Sequence, residues 1–456
     1  MRMTRLSLGR FLPWPLYFLA LLVGALSIRD IPSDPSLFTT IGNLAQVTNL
    51  SDPKTYAVAA LDVHRFGWVS EVNAWILSLW PPGLILLEAG IVGLFGIDAP
   101  LVLVLQVLAC ACLAWMLALQ RAVLVPFVGN VVASALPLLL FLFPMPRIFL
   151  LHPYGVVLGE AFSVAFFLSA GLLLILGAQS RRLSTAMLAG LCFALAAYFR
   201  SQYESILMAT TGLAVPVLAW CLWRRARQNG LAERASYATT AKVIVVSLLV
   251  AHAVMLPWRV HNYAVARNFA WVQTGNVIFL NGLSSDEALI KRGGGFVVEG
   301  AGNLACKVEP KYCDRTEKEL FLKAFLSHPF AWYRAKFAAA GEYWNTFSFS
   351  RHRFTTWFHV QDDLGSLVYF ICLIAVPLLL VLTRRYQWWD LMAWSVASLY
   401  AASFVIFTLA HFESRYFYLL KIFAFVWSAN MSAMVWGMRK KGKPQTAPQC
   451  TSPTPC

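Results

Sequence analysis

WSVASLYAASFVIFTLAHFESRYFYLLKIFAFVWSAN, residues 394–430, sets an apolar run on either side of His411, Glu413, Arg415 and Tyr416. A helix needs about 20 consecutive apolar residues to cross a bilayer, and both flanks approach that length. An ion held at the centre of a bilayer costs about 2.5–3.5 kcal/mol on insertion scales, so ionisable groups gathered at such a seam point to a reaction or transport site. The same alternation of apolar runs and short polar seams recurs through the chain.

With 59% hydrophobic and 13% charged residues over 456 positions, the sequence excludes an ordinary soluble domain. Helices close their own backbone hydrogen bonds, so the expected fold is an all-α polytopic membrane protein. Eleven apolar segments are visible, near residues 12–28, 82–96, 100–119, 123–144, 161–178, 185–199, 203–223, 242–257, 366–383, 390–410 and 416–436. The first follows Arg2, Arg5 and Arg10 and resembles a signal peptide, but without a convincing cleavage site it reads as a retained span.

Cytoplasmic loops carry the excess of Lys and Arg. If all eleven segments crossed, Arg181-Arg182, the Arg224–Arg234 cluster, Arg384-Arg385 and the Arg439–Lys443 tail would all face outward, opposite the basic N-terminus. Removing one early segment turns every cluster inward. Segment 82–96 opens on Pro81-Pro82, carries Glu88 and is short for a crossing, so it reads as a juxtamembrane helix. About ten spans with both termini inside result. The net charge of +15 is then an orienting charge in short loops and calls for no nucleic acid.

Residues 1–436 form one transmembrane domain in this reading, with external segments at 29–99 and 258–365. The first holds SDPKTYAVAAL, apolar at helical spacing, then Trp68, Trp75 and Trp80, which suit a membrane interface. The second holds a polar stretch (281–315) and TEKELFLKAFLSHPFAWYRAKFAAAGEYWNTF, whose mixture of aromatic and basic residues suits helices on the bilayer surface. The tail at 437–456 is rich in Lys, Pro, Thr and Ser and reads as disordered and cytoplasmic. Cys110, Cys112, Cys192, Cys221 and Cys372 fall in apolar runs and read as small core hydrophobes. Cys306 and Cys313 lie together in the second external segment, where an oxidising compartment would permit a local disulfide.

The ten-span arrangement brings the ionisable residues to one face. Asp52, Asp62, His64 and Glu71 lie in the first external segment; Glu160, Arg200, Glu204, Arg259, His261, Glu413, Arg415 and Tyr416 lie at outer span ends. Each also has a plain structural reading. Asp52-Pro53 makes a good helix start, Arg200 and Arg415 are able to snorkel, and Glu160 suits a helix N-terminus. His64, His152 and His411 read as structural. Transporters more often hold their ionisable residues near the bilayer midplane, on broken helices.

The ordered set SDPKTYAVAAL, WPPGLILLEAGIVGLFG, FRSQYE, PWRVHNY and HFESRY resembles the GT-C superfamily. These are polyprenyl-phosphate-sugar-dependent membrane glycosyltransferases, and the likeness is to the branch of protein O-mannosyltransferases and lipid A aminoarabinose transferases. It runs from about residue 10 to 436. The resemblance implies that Asp52 is the general base for the acceptor and that Glu160 helps shape the catalytic site. It implies that Arg200 and Arg415 hold the lipid phosphate, with Glu204, Arg259, His261, Glu413 and Tyr416 lining the substrate site. The implied partners are a polyprenyl-phosphate-linked sugar donor, membrane lipids and an extracytoplasmic acceptor that is protein, lipid or glycan. The resemblance fixes no cofactor and leaves a divalent metal open: the position of Glu160 binds one in some relatives, while Pro53 stands where relatives often carry a second acid. The implied setting is a bacterial inner membrane with the site facing outward. Two alternatives remain: a transporter or flippase of lipid-linked sugars, and a catalytically silent scaffold of the same fold.

Overall fold

The computed structural model describes residues 13–27, 35–46, 51–227, 231–266, 356–384, 389–409 and 416–440, together with Phe330, Phe337 and Trp344. Glu413, Arg415, the Cys306–Cys313 pair, the polar stretch 281–315 and the tail beyond Lys440 lie outside them. Every described element is helical, as the sequence predicts, and six helices are long and apolar enough to cross a membrane. Three shorter apolar helices accompany them. The chain is an all-α, multi-pass membrane protein.

Helix α1 (Trp14–Ser27) is the first apolar segment. The segment that follows folds as α2 (Ile41–Gln46), α3 (Ser51–Phe66), α4 (Trp75–Leu79) and α5 (Gly83–Phe95). At 13 residues, α5 spans about 20 Å, short of the ~30 Å hydrocarbon core. It packs mainly on α3. Its Glu88 is fully buried, and neither carboxylate oxygen finds a partner among the described residues, an environment that favours the neutral acid.

Asp62 closes the turn after α3. Its Oδ2 accepts hydrogen bonds from the Ser70 amide (3.1 Å), the Ser70 hydroxyl and Asn73 Nδ2 (2.8 Å). Burial on its own would raise the Asp62 carboxyl, but these bonds outweigh burial and hold it below the usual carboxylate range.

The segments read as 100–119 and 123–144 are divided elsewhere than the sequence suggests. The break falls not at Arg121 but at Gly129, where φ is 78° and ψ 176°, a conformation nearly restricted to glycine. Within α6 (Leu101–Ala135) the chain doubles back there: Arg121 Nε donates to Ser134 Oγ at 2.8 Å and Nη2 to Asn130 Oδ1 at 3.2 Å. In one straight helix those positions would stand roughly 20 Å apart. Arg121 is therefore inside the hairpin, its charge spent on the returning strand of chain. The return runs through irregular turns, α7 (Pro144–Pro146), a π turn at Arg147–Leu151 and α8 (Pro153–Val157). His152 caps α8 by accepting from the Tyr154 amide (3.2 Å), so its structural reading holds.

The bundle continues as α9 (Glu160–Ser180), α10 (Leu183–Phe199), α11 (Gln202–Arg227) and α12 (Leu231–Ala266), then α13 (Thr356–Leu382), α14 (Trp389–Leu409) and α15 (Tyr416–Lys440). α12 and α13 overrun the apolar segments 242–257 and 366–383, since helix propagation continues past the apolar stretch once a nucleus exists. The main packing pairs are α9 with α10, α10 with α12, α6 with α9, α11 with α14, and α13 with α15. The five cysteines read as core residues are all free.

Two measurements test this arrangement. Cysteines placed at the exposed positions Val72 and Asp98, in a background lacking native cysteine, should label from outside intact cells. One at Val131, beside the Gly129 reversal, should label only after the membrane is opened; an Asp98 probe reached only from within means that α5 crosses. Separately, a nitroxide at Val72 should be ordered at neutral pH and mobilise as pH falls through the lowered Asp62 pKa, because a depressed carboxyl stabilises only while ionised. In Asp62→Asn it should be mobile at both ends of that range.

Candidate functional site at one end of the bundle

The site builds from the α9–α10 pair. Gly159, left-handed at φ 77°, turns the chain into α9 so that Glu160 opens the helix. α10 runs antiparallel to α9 and stops at Phe199, leaving Arg200 extended before α11 begins. The result is a buried ion pair, Arg200 Nη2 to Glu160 Oε1 at 2.6 Å, with the two side chains 9% and 3% exposed. The helix N-terminus adds positive potential where Glu160 sits. Arg200 Nη1 also donates to the Tyr56 hydroxyl at 3.2 Å, which ties the pair to α3.

Asp52 stands in the first turn of that same α3, one residue inside the helix start and half-buried. It lies four residues before Tyr56, the spacing that puts two side chains on one helix face. Tyr56 meets Trp80 edge-on, and Trp80 meets Trp75, so the interfacial tryptophans brace this face.

A second couple joins α11 to α12. Arg259 Nη2 approaches Glu204 Oε1 at 3.5 Å, and its Nη1 donates to His252 Nδ1 at 2.9 Å. Beside it His261 stacks on Trp258 (4.8 Å, 24°) and meets Trp68 of the first external segment edge-on at 5.5 Å. Glu160, Arg200, Glu204, Arg259 and His261 thus share one end of the bundle, while Trp220 Nε1 donating to Asp390 marks the opposite end. Of the HFESRY stretch, Tyr416 opens α15; Glu413 and Arg415 lie outside the described residues.

Some members of this neighbourhood escaped the sequence reading. Lys421 is buried in α15, donates to the Trp344 carbonyl and lies 4.7 Å from that indole ring. Trp344 Nε1 donates in turn to Ser366 O (3.1 Å), which fixes this residue of the second external segment to α13. His252 and Thr211 were likewise missed. The available signal was spacing: Glu204 and Thr211 on one apolar helix, and His252 and Arg259 on the next, are each seven apart and so share a face.

Below this end lies a small cavity of about 40 Å³ walled by α9, α10, α11, α14 and α15. Its wall is apolar, with Phe167, Ile206 and Phe423 among the lining residues. Phe167 also packs on Tyr203 (5.2 Å), three residues from Arg200, and it stands about two turns along α9 from Glu160. Among the described residues no group of three His, Cys, Asp or Glu side chains is placed to hold a metal.

No family profile and no curated protein matches the chain. Among solved structures the chain is similar to the archaeal oligosaccharyltransferase AglB from Archaeoglobus fulgidus, in complex with an inhibitory peptide and a dolichol-phosphate. Identity is 14% and the TM-score 0.46, with 92% of this chain and 50% of that one covered. The chain therefore spans half the length of that protein.

The buried pair gives a stability prediction. Glu160→Gln leaves a buried guanidinium without its counter-ion, and Arg200→Met strands the carboxylate; each should lower stability by about 3–5 kcal/mol. The double variant should regain much of that loss, read as thermal unfolding of purified protein, because the two costs share one origin. Additive losses would mean the charges do not interact.

Proposed function

We propose that this protein is an inverting membrane glycosyltransferase that moves one sugar from a polyprenyl-phosphate donor to an acceptor outside the cytoplasm. The observation that carries the reading is the union, at one bundle end, of a carboxylate helix with the buried Arg200 and the half-buried Arg259. Asp52 and Tyr56 share a face of α3, and Tyr56 bonds Arg200.

The chemistry asks for those groups. The acceptor oxygen or nitrogen attacks the anomeric carbon and gives its proton to the Asp52 carboxylate. The bond from that carbon to the phosphate oxygen breaks, and its electron pair leaves on the phosphate. Fixed cations that meet the developing charge lower the barrier, and arginine suits phosphate through its planar, permanently charged fork. Arg200, Arg259 and Arg415 supply that charge. Glu160, already paired, orients Arg200 and shapes the site; Glu204, His261, Glu413 and Tyr416 line it. The same residues hold the substrate whether the acceptor is protein, lipid or glycan.

Asp52→Asn tests the base. Asparagine serves a helix start about as well as aspartate, so insertion and stability should be unchanged. It has no carboxylate to take a proton, so transfer from labelled polyprenyl-phosphate sugars by purified protein should fall about 10²–10⁴-fold. Asp52→Glu should recover part of the rate. Near-normal transfer by Asp52→Asn assigns the base elsewhere, and movement of an intact lipid-linked sugar across vesicles without transfer would favour the flippase.

A further inference from the structure

The couple at the α11–α12 contact extends further into the bundle than the charges require. Arg259 donates from Nη1 to His252 Nδ1 at 2.9 Å, so that nitrogen is an acceptor and the ring carries its proton on Nε2. Nε2 lies 2.9 Å from Thr211 Oγ1. The Thr211 hydroxyl spends its own proton on the Leu207 carbonyl at 2.8 Å, so its oxygen accepts from the imidazole. The chain has one direction from end to end: Arg259 to His252 to Thr211 to Leu207. A single neutral imidazole tautomer satisfies it, and every member has its donor and acceptor assigned.

We propose that His252 is a positioning residue that fixes the Arg259 guanidinium to receive the phosphate of a lipid-linked substrate. The proposal rests on the reading above that this end of the bundle handles a lipid phosphate. An arginine side chain has several rotatable bonds, and holding it in one geometry is what makes a fork-shaped contact with phosphate effective. Glu204 cannot supply that hold alone: at 3.5 Å its contact is at the edge of hydrogen-bonding range. The imidazole, anchored through Thr211 to the backbone of α11, contributes the second, shorter contact from within the bundle. Nη1 is thereby directed inward, Nη2 faces Glu204 and Met208 Sδ (3.8 Å), and Nε with the second Nη1 proton is left for a ligand at the helix ends. Both helices carry the device at matched spacing, Glu204 with Thr211 and Arg259 with His252, so the guanidinium is held between two adjacent spans.

Two substitutions separate the halves of the chain. The carbonyl oxygen of asparagine falls near an imidazole Nδ1, so His252→Asn keeps an acceptor for Arg259 and loses Thr211. Glutamine reaches the Nε2 position, so His252→Gln keeps Thr211 and loses the acceptor for Arg259. The full chain, purified in nanodiscs, is titrated with a polyprenyl phosphate, and transfer kinetics are measured beside it. Arg259→Ala and His252→Gln should both weaken binding about tenfold or more, the scale of a hydrogen bond to a charged group. His252→Asn should bind within about threefold of the parent, and the loss in His252→Gln should fall on the donor KM with kcat little changed. A purely structural link between the spans would lower the unfolding temperature of both variants alike and leave donor KM untouched, which overturns the proposal. So does parental binding by His252→Gln while Arg259→Ala is weak, an outcome that leaves the phosphate role of Arg259 standing. Parental binding by Arg259→Ala removes the phosphate role of Arg259 itself, and the positioning role with it.

Discussion

The buried pair between Glu160 and Arg200 is the contact around which this end of the molecule is arranged. A guanidinium with so little exposure has to be neutralised where it stands, and only a carboxylate fixed at the start of α9 does so at 2.6 Å. That requirement dictates the left-handed turn at Gly159, the stop of α10 at Phe199 and the extended Arg200 between two helices. Burying both ions is expensive, and well-packed apolar residues of similar volume would often be as stable. The pair is thus better understood as a means of placement. It sets a cation at a defined depth and lets Tyr56 carry that placement to a helix outside the bundle.

That coupling explains why the first external segment is ordered about its own polar contacts. α3 is held to the bundle by the Tyr56–Arg200 bond, to α5 by apolar packing and to the following turn by Asp62. Trp68 then reaches Trp258 and His261, which flank Arg259 in the sequence of α12. The segment is a cover whose geometry is set by the bundle beneath it.

Much of this was legible in the sequence because the signals were of composition and charge. Apolar run lengths give the helices, and the parity of basic clusters singles out 82–96 before any contact is known. The gathering of Glu160, Arg200, Glu204, Arg259 and His261 at one end follows from that parity, and the structure brings those five together. What was not legible depended on conformation or on partners distant in the chain. Arg121 looks like a loop cation by composition; only the reversal at Gly129 turns it inward to Ser134 and Asn130. Lys421 looks like an anomaly in an apolar helix until Trp344, far earlier in the chain, supplies its acceptor and a ring face. His252 reads as a lone histidine in a span until its seven-residue spacing to Arg259 meets the same spacing on α11.

Position in the fold also orders the candidate carboxylates. Glu160 is buried in the bundle against the Arg200 guanidinium. Asp62 spends one oxygen on three donors that close a turn, and Glu88 is buried away from any described polar partner. Glu204 faces Arg259. Asp52 differs from all four: it is half-buried, at the first turn of a helix outside the bundle, on the face that Tyr56 turns toward Arg200. A base for an incoming acceptor has to be reachable from water on one side and close to the departing charge on the other. Among these carboxylates Asp52 combines a half-buried position outside the bundle with a link through Tyr56 to Arg200, which is why the proposed base is placed at the first turn of α3.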